Sequence, residues 1–432
     1  MDPVFLGIAG MVLFLALMAV GVPIAIASFM VGLGGIFLLM GQQVALTTIS
    51  SYTYTIVDFN MASIPLFIIM GLFFSVCGVG EEMFGALRKW FGHLPGGLAV
   101  CTAGFCAVFG TCTGSSVATT AIMAKLAYPE MRRHKYDRSL AFGVVSASGT
   151  LASLIPPSFI IVIYAVMAEQ SIGKVLIAGF IPGIISTVIY AAMIVLRVIR
   201  NPSLGRPLSQ ASWKERMNSL RYFIPALVMF AIIVGGIYRG VFTATEAGGM
   251  GAMAAFFIVL IARRLNSLRL WEIISETARL TVMVMLILIG VEFLTKFLTY
   301  CGLTTAFARL ALQFPSPAMT LLLMFFIYLI LGMFIGPAGM MMITTPIFVP
   351  VIMELGYSPI WFGIITIKVN EVGMITPPIA TNVFVAQGML GSKEISLEHA
   401  FRAILPFLAC DVFTIVLFLA FPQIVTFLPN MM

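Results

Sequence analysis

From Ala403 to Leu428 the chain carries a single charge, Asp411. Runs of this kind recur along its whole length. A helix needs about 20 apolar residues to cross the roughly 30 Å hydrocarbon core of a bilayer. At that depth no water is present to bond backbone amides and carbonyls, so only helices or closed barrels can span. Strands of a membrane barrel alternate in polarity over about ten residues, and these runs do not alternate. Composition agrees: 61% of residues are hydrophobic and 9% charged, against about 25% charged in soluble domains. The fold class is therefore an all-α polytopic membrane protein.

Residues 4–20, 24–40, 63–80, 139–168, 175–199, 223–238, 244–262, 280–299, 359–390 and 403–428 read as helical spans. The opening "MDPVFLGIAG" has no basic stretch before its apolar run and reads as a retained helix. Two more apolar runs, 95–130 and 317–353, are interrupted by "GTCTGSS" and "GPAG". They read as re-entrant hairpins that dip in and return. Charge supports this. With the N-terminus outside and both hairpins re-entrant, 18 of the 24 Lys and Arg residues face inside, among them the group from Arg197 to Arg221 and Lys393. Two single crossings would put the basic loops on opposite sides, against the positive-inside rule. The net charge of +7 is thus a property of loops beside a lipid bilayer, and gives no sign of nucleic-acid binding. The six cysteines, Cys77, Cys101, Cys106, Cys112, Cys301 and Cys410, have no CxxC spacing and read as small buried residues. No HExxH, GxSxG or paired intramembrane aspartates appear, which argues against an enzyme.

Shifted by 221 residues, the chain repeats itself. Pro129 falls on Pro350, Tyr136 on Tyr357, Pro156 on Pro377 and Pro157 on Pro378. "GTLASLIPPS" at 149–158 falls on "NEVGMITPPI" at 370–379, and the first interrupted tip falls on "LGMFIGP". The first hairpin enters from inside and the second from outside, so the halves are inverted copies. The expected division is N-terminal scaffold helices (1–62), a first repeat core (63–168, broken helix 139–168) and scaffold helices with a basic cytoplasmic loop (169–279). A second repeat core (280–390, broken helix 359–390) and a C-terminal helix (391–432) follow. Inverted repeats with paired Gly/Pro-interrupted segments mark secondary transporters with a site near the midplane. Proline removes a backbone donor and disturbs the preceding turn, freeing carbonyls to meet a cation. Glycines at the tips allow close approach, and exposed helix N-termini favour an anion. Glu292, Lys296, Lys368, Glu371 and Asp411 lie in or beside apolar runs, where ionisable groups are functional candidates. Glu292 and Lys296 are also spaced to pair on one helix face.

The stretches "GSSVATTAIMAKLAYPEM", "SGTLASLIPPSFIIVIYAV" and "PIWFGIITIKVNEVGMITPPIATNVFVAQG" closely resemble the large membrane subunit of tripartite ATP-independent periplasmic (TRAP) transporters, over essentially the whole chain. The resemblance implies an elevator-type secondary transporter of the bacterial inner membrane, driven by Na+. It also implies a separate small membrane subunit of about four helices, and a periplasmic substrate-binding protein that delivers a small organic anion, a carboxylate or sulfonate. Carried over by position, a first sodium site would use Ser115, Ser116 and oxygens around Ala152, Ile155 and Pro157. A second would use Gly336 and oxygens around Gly373, Thr376 and Pro378. The anion would lie near Ser115, Ser158, Asn370, Thr381 and Asn382. Read from its own place in the "NEVG" turn against the second hairpin, and not from the resemblance, Glu371 is a candidate for supporting an ion site. The chain departs from the family pattern at Ala152, where glycine is usual, and at Gly336, near which many relatives carry an acid. A proton-coupled or binding-protein-independent transporter of the same architecture is the alternative reading.

Overall fold

The computed structural model describes residues 2–55, 59–76, 78–391 and 394–432, without the side chains of 52–55, 59, 60, 111, 112, 308, 311 and 312. Cys77, Lys393 and the side chain of Cys112 therefore lie outside the described residues. Cys101, Cys106, Cys301 and Cys410 are buried free thiols.

All described secondary structure is helical. The chain opens with α1 (Pro3–Ala19), α2 (Ile24–Met40) and α3 (Gln42–Thr55), then α4 (Ser63–Val76) and α5 (Val79–Phe91). The charged stretch after the third expected span is α5, with Glu81 and Glu82 in its first turn and Arg88 and Lys89 in its last, matching its dipole. The first hairpin is α6 (Gly97–Thr113) and α7 (Ser116–Arg133). The first broken helix is α8 (Arg138–Ser148) and α9 (Phe159–Met167), joined by a 3-10 turn at Gly149–Ser153. Next come α10 (Ile172–Ala178), α11 (Phe180–Arg200), α12 (Trp213–Ser219), α13 (Ile224–Phe230) and α14 (Gly236–Tyr238). They are followed by α15 (Ala244–Ile261), α16 (Ser267–Tyr300) and α17 (Leu303–Leu312). The second hairpin is α18 (Pro317–Phe334) and α19 (Pro337–Glu354), and the second broken helix is α20 (Pro359–Gly373) and α21 (Thr381–Leu390). The long helix α22 (Leu397–Ala420) follows. Seven helical segments of the described residues are long and apolar enough to cross a membrane.

Three expectations change in detail. The expected span 280–299 is the inner part of α16, which starts at Ser267 because "SLRLWEIISETARL" is charged yet helical. The expected span 175–199 is two helices meeting at Gly179, where a Cβ would stand 2.1 Å from the Leu154 carbonyl oxygen. Helix α3 was not anticipated, because its sequence is too polar to read as a span.

Contacts between loops show the inversion. At one end Arg88 pairs with Glu130 at 2.7 Å and Trp90 Nε1 donates to the Arg216 carbonyl at 3.1 Å. At the same end Tyr136 Oη donates to the Arg206 carbonyl at 3.1 Å and Tyr128 Oη to Glu394 at 3.3 Å. This is the basic end, and it gathers both ends of the first hairpin, the start of α8 and the chain just after α21. At the other end Tyr164 Oη donates to the Pro359 carbonyl at 2.6 Å, joining the end of α9 to the start of α20. The two broken helices therefore run antiparallel. The second hairpin leads straight into α20, so it enters from the end opposite to the first.

The two halves pack by the same rule. A Cβ on Gly110 would lie 2.4 Å from the Ala152 Cβ, and one on Gly373 would lie 2.7 Å from the Gly332 carbonyl carbon. Positions 152 and 373 are 221 apart, so each hairpin meets its own break where only a small residue fits. Ala152 does not adopt a positive φ; the position requires small size rather than a left-handed backbone. Away from the hairpins and broken helices, α2 and α16 cross closely. A Cβ on Gly32 would lie 2.4 Å from Leu294 N, and one on Gly290 2.3 Å from the Ala25 carbonyl oxygen. Small residues at a membrane helix crossing let backbones approach, and packing then holds the pair.

Helices α11 and α22 are also counterparts at the 221 offset, and they meet at Tyr190 and Asp411, which are themselves 221 apart. Tyr190 Oη donates to Asp411 Oδ2 at 2.8 Å. Asp411 Oδ1 takes the Lys368 ammonium of α20 at 2.6 Å, with both side chains fully buried. Asp411 is thus a packing partner that ties α20 to both flanking helices. Removing one member of such a pair leaves a bare charge, at a cost of about 3–5 kcal/mol. Asp411→Asn is therefore expected to lower the melting temperature of the detergent-purified protein sharply, and Lys368→Met with Asp411→Leu to restore most of it. A double variant as unstable as the single would refute this account. Gly373→Ala is expected to cost about 1–3 kcal/mol through overpacking against Gly332, while Ala152→Gly costs under about 1 kcal/mol. Equal melting shifts for the two would contradict the close approach described.

Candidate functional site

Two helices stop in mid-course for the same reason. In α8 the run ends at a 3-10 turn before Pro156 and Pro157; α20 ends at Gly373 before Pro377 and Pro378. Both Pro-Pro bonds are cis. Proline offers no amide, so the carbonyls upstream lose their helical donors. Among the described residues, no backbone amide donates to the carbonyls of Leu154 through Pro157, or to those of Ile375 through Ile379. The Gly373 carbonyl accepts from Thr376 N at 3.1 Å, and the Thr376 hydroxyl donates to the Val372 carbonyl at 2.7 Å. The free oxygens thus lie within and just before each proline pair.

The first hairpin tip touches both breaks. Gly114 turns with φ +62, and a Cβ there would lie 3.2 Å from Phe159 N, so both backbone and space call for glycine. Ser115 caps α7, its side chain accepting from Ala118 N at 3.3 Å. Ser116 is buried, and its Oγ reaches Met374 Sδ of the second break at 4.0 Å. Ile155 and Pro157 are buried beside the tip's own break, Ile155 packing on Gly183 of α11. The second tip is different. Gly336 has an ordinary φ of -63 and lies exposed, with open space where a Cβ would stand. Thr376 is half-buried and Pro378 exposed. The residues expected around the first break are therefore brought together, whereas around the second only Gly373 is buried and Gly336 and Pro378 lie exposed.

Between these elements lies a set of buried polar side chains without partners. Ser158, Asn370 and Asn382 bury hydroxyl or amide atoms that bond to nothing in the described residues. Ser146 and Ser148 of α8, Thr120 of α7 and Thr345 of α19 do the same. Each such atom costs about 1–3 kcal/mol if it stays unpaired, and native proteins keep few of them. Thr381 is half-buried at the start of α21. The N-termini of α7 and α19 begin at the two tips, and those of α9 and α21 at the two breaks. Amides at these starts suit an anion, while the carbonyls and hydroxyls offer hard oxygens for a small cation. Among the described residues no cluster of His, Cys, Asp or Glu is placed to hold a resident metal ion.

The breaks are also bonded to each other. Ser153 Oγ, in the first break, donates to Glu371 Oε1 at 2.5 Å, one residue pair before Gly373 in the second helix. Ser153, Ser146, Ser148, Thr120 and Thr345 were not among the residues expected at the site. The clustered serines of "SASGTLAS" beside the first Pro-Pro were the available signal; the two threonines had none, since hydroxyls are common on membrane helices. Glu292 and Lys296, both half-buried on α16, belong to a different helix from these breaks.

Residues 11–424 match the family described as tripartite ATP-independent periplasmic transporter, DctM component. The chain is 35% identical over 378 residues to the C4-dicarboxylate TRAP transporter large permease protein DctM of Pseudomonas aeruginosa, covering 86% of each chain. It is 30% identical over 422 residues to the isethionate TRAP transporter permease protein DctMQ of Oleidesulfovibrio alaskensis, covering 96% of this chain and 64% of that protein. Both relatives are permeases and not enzymes. In fold it is similar to the crystal structure of the Alcanivorax borkumensis YdaH transporter, with a TM-score of 0.54 and 15% identity over 87% of this chain and 89% of that one. With its inverted hairpins and breaks set within a match that spans nearly its full length, this chain belongs to the DctM component family of tripartite ATP-independent periplasmic transporters.

Proposed function

We propose that the protein takes up a small organic anion, a carboxylate or sulfonate, across the bacterial inner membrane by sodium-coupled secondary active transport. The observation that carries this reading is the pair of Pro-Pro breaks, whose carbonyls have no backbone donors, with the first hairpin tip set against both of them. Sodium at such oxygens orders the tips, and ordered tips complete an anion site at the helix N-termini. Coupling then follows from differential affinity of the anion for the ordered state. The names of the relatives support the anion class, one a C4-dicarboxylate permease and the other an isethionate permease.

In this reading a periplasmic binding protein delivers the anion and a small four-helix membrane subunit braces the scaffold. The basic end faces the cytoplasm by the positive-inside rule, which puts the N-terminus in the periplasm. The hairpins and broken helices move together in an elevator-type exchange of access, against a scaffold of the remaining spans, including residues 4–40 and 175–262. A proton-driven version of the same cycle is the second reading, favoured by the buried Glu371 carboxylate. Uptake into proteoliposomes holding all three components separates the two. An imposed sodium gradient at equal pH is expected to drive accumulation; accumulation under a pH gradient alone, indifferent to sodium, would reject sodium coupling.

Ser115→Ala is expected to raise the sodium concentration for half-maximal uptake roughly tenfold, the loss of about one charge-assisted oxygen contact. Ser115→Thr keeps both the hydroxyl and the helix cap and is expected to stay near wild type. An unchanged sodium dependence in the Ala variant would remove Ser115 from the ion site.

A further inference from the structure

Among the described residues of the helical core, three charged side chains have no exposure at all: Lys368, Glu371 and Asp411. Lys368 and Asp411 neutralise each other at 2.6 Å, and the remaining oxygen of Asp411 takes the Tyr190 hydroxyl. Glu371 stands one helical turn further along α20. Its Oε1 accepts from the neutral Ser153 hydroxyl, and its Oε2 has no partner. The core therefore holds one carboxylate in excess of its cations. Lys368, one turn away, is bonded to Asp411, so among the described residues no cation makes a direct ion pair with Glu371. A buried charge is tolerated when it is paired or holds an ion.

Its position is as telling as its charge. Glu371 lies two residues before Gly373, where the second helix stops, and its hydroxyl donor belongs to the first break. At the 221 offset its counterpart is Thr150, whose hydroxyl bonds the Ala147 carbonyl at 2.7 Å. The first half thus supplies no equivalent charge, and one carboxylate stands between two breaks that are otherwise built of neutral oxygens.

We propose that Glu371 is the shared counter-charge of the transported cation, with Oε2 turned to the ion and Ser153 as the positioning residue that holds Oε1. One carboxylate among neutral oxygens suits a monovalent ion, since divalent ions in protein sites gather several carboxylates. The inference rests on the sodium-coupled reading above and adds the residue that supplies the charge.

The test uses the three-component transporter in proteoliposomes, with sodium titrated at fixed pH. Glu371→Gln keeps the shape and removes the charge. It is expected to raise the sodium concentration for half-maximal uptake at least roughly tenfold, with the half-saturating anion concentration changed less than about twofold at saturating sodium. Ser153→Ala is expected to raise it less, about threefold, and Ser153→Thr to leave it unchanged. Sodium-induced thermal stabilisation of the detergent-purified protein gives a readout that does not depend on uptake. It is expected in the wild type and lost in Glu371→Gln, whose melting temperature without sodium is equal or higher. A normal sodium response in Glu371→Gln by either readout overturns the inference. So does a variant that loses only its response to pH, which would make the carboxylate a proton carrier. Wild-type uptake indifferent to sodium removes the coupling reading itself, a result distinct from a normal sodium response in the variant.

Discussion

An amide or carbonyl left bare in hydrocarbon is too costly to tolerate, and this constraint organises the rest of the molecule. Four helical elements are interrupted, two at Pro-Pro pairs and two at hairpin tips. None of these interruptions can face lipid, so each must face another. The two halves do this by crossing over: α7 of the first hairpin lies along α21 of the second broken helix, and α19 of the second hairpin lies along α9 of the first. Each half lies against the broken helix of the other. The inverted arrangement is thus a solution to polar satisfaction before it is a device for transport.

The backbone plan is two-fold, but the side chains are not. Glycine or alanine recurs at the close approaches, and Pro-Pro at the breaks, because backbone geometry demands them on both sides. The polar groups that point into the middle have no such obligation. Ser158 corresponds to Ile379 at the repeat offset, Asn382 to Ile161 and Asn370 to Gly149. The tips diverge as well, one packed against both breaks and the other open beside Gly336. A site with this mixture of symmetric frame and asymmetric lining can hold a ligand whose two ends differ in one orientation.

Much of the frame was legible in the sequence, because its determinants are local and repeated. Long uncharged runs, turn residues at the tips and a common offset between proline pairs are each readable from one dimension. The hairpins and breaks therefore fell where the residues placed them. What stayed hidden depended on pairs distant in the chain. Lys368 and Asp411 lie 43 positions apart, and Ser153 and Glu371 lie 218 apart; no periodicity connects either pair. That Ala152 stands where glycine is usual was visible, but the need for a small residue there, set by the approach of Gly110, is a tertiary fact. The early start of α16 was missed because charged residues end an apolar run without ending a helix.

Helix α16 has one more consequence. At 1.5 Å per residue, its 34 residues span about 51 Å, well beyond a hydrocarbon core of roughly 30 Å. Its first turns carry Arg269, Glu272, Glu276 and Arg279 together with the exposed Trp271. Such residues resist being drawn into lipid, while aromatic rings of this kind favour the headgroup level. The helix is thereby fixed in depth, and α2, locked to it through Gly32 and Gly290, is fixed with it. This pair serves as a depth gauge within the bilayer. Helices α4 and α19, which pack against α16, take their depth from it.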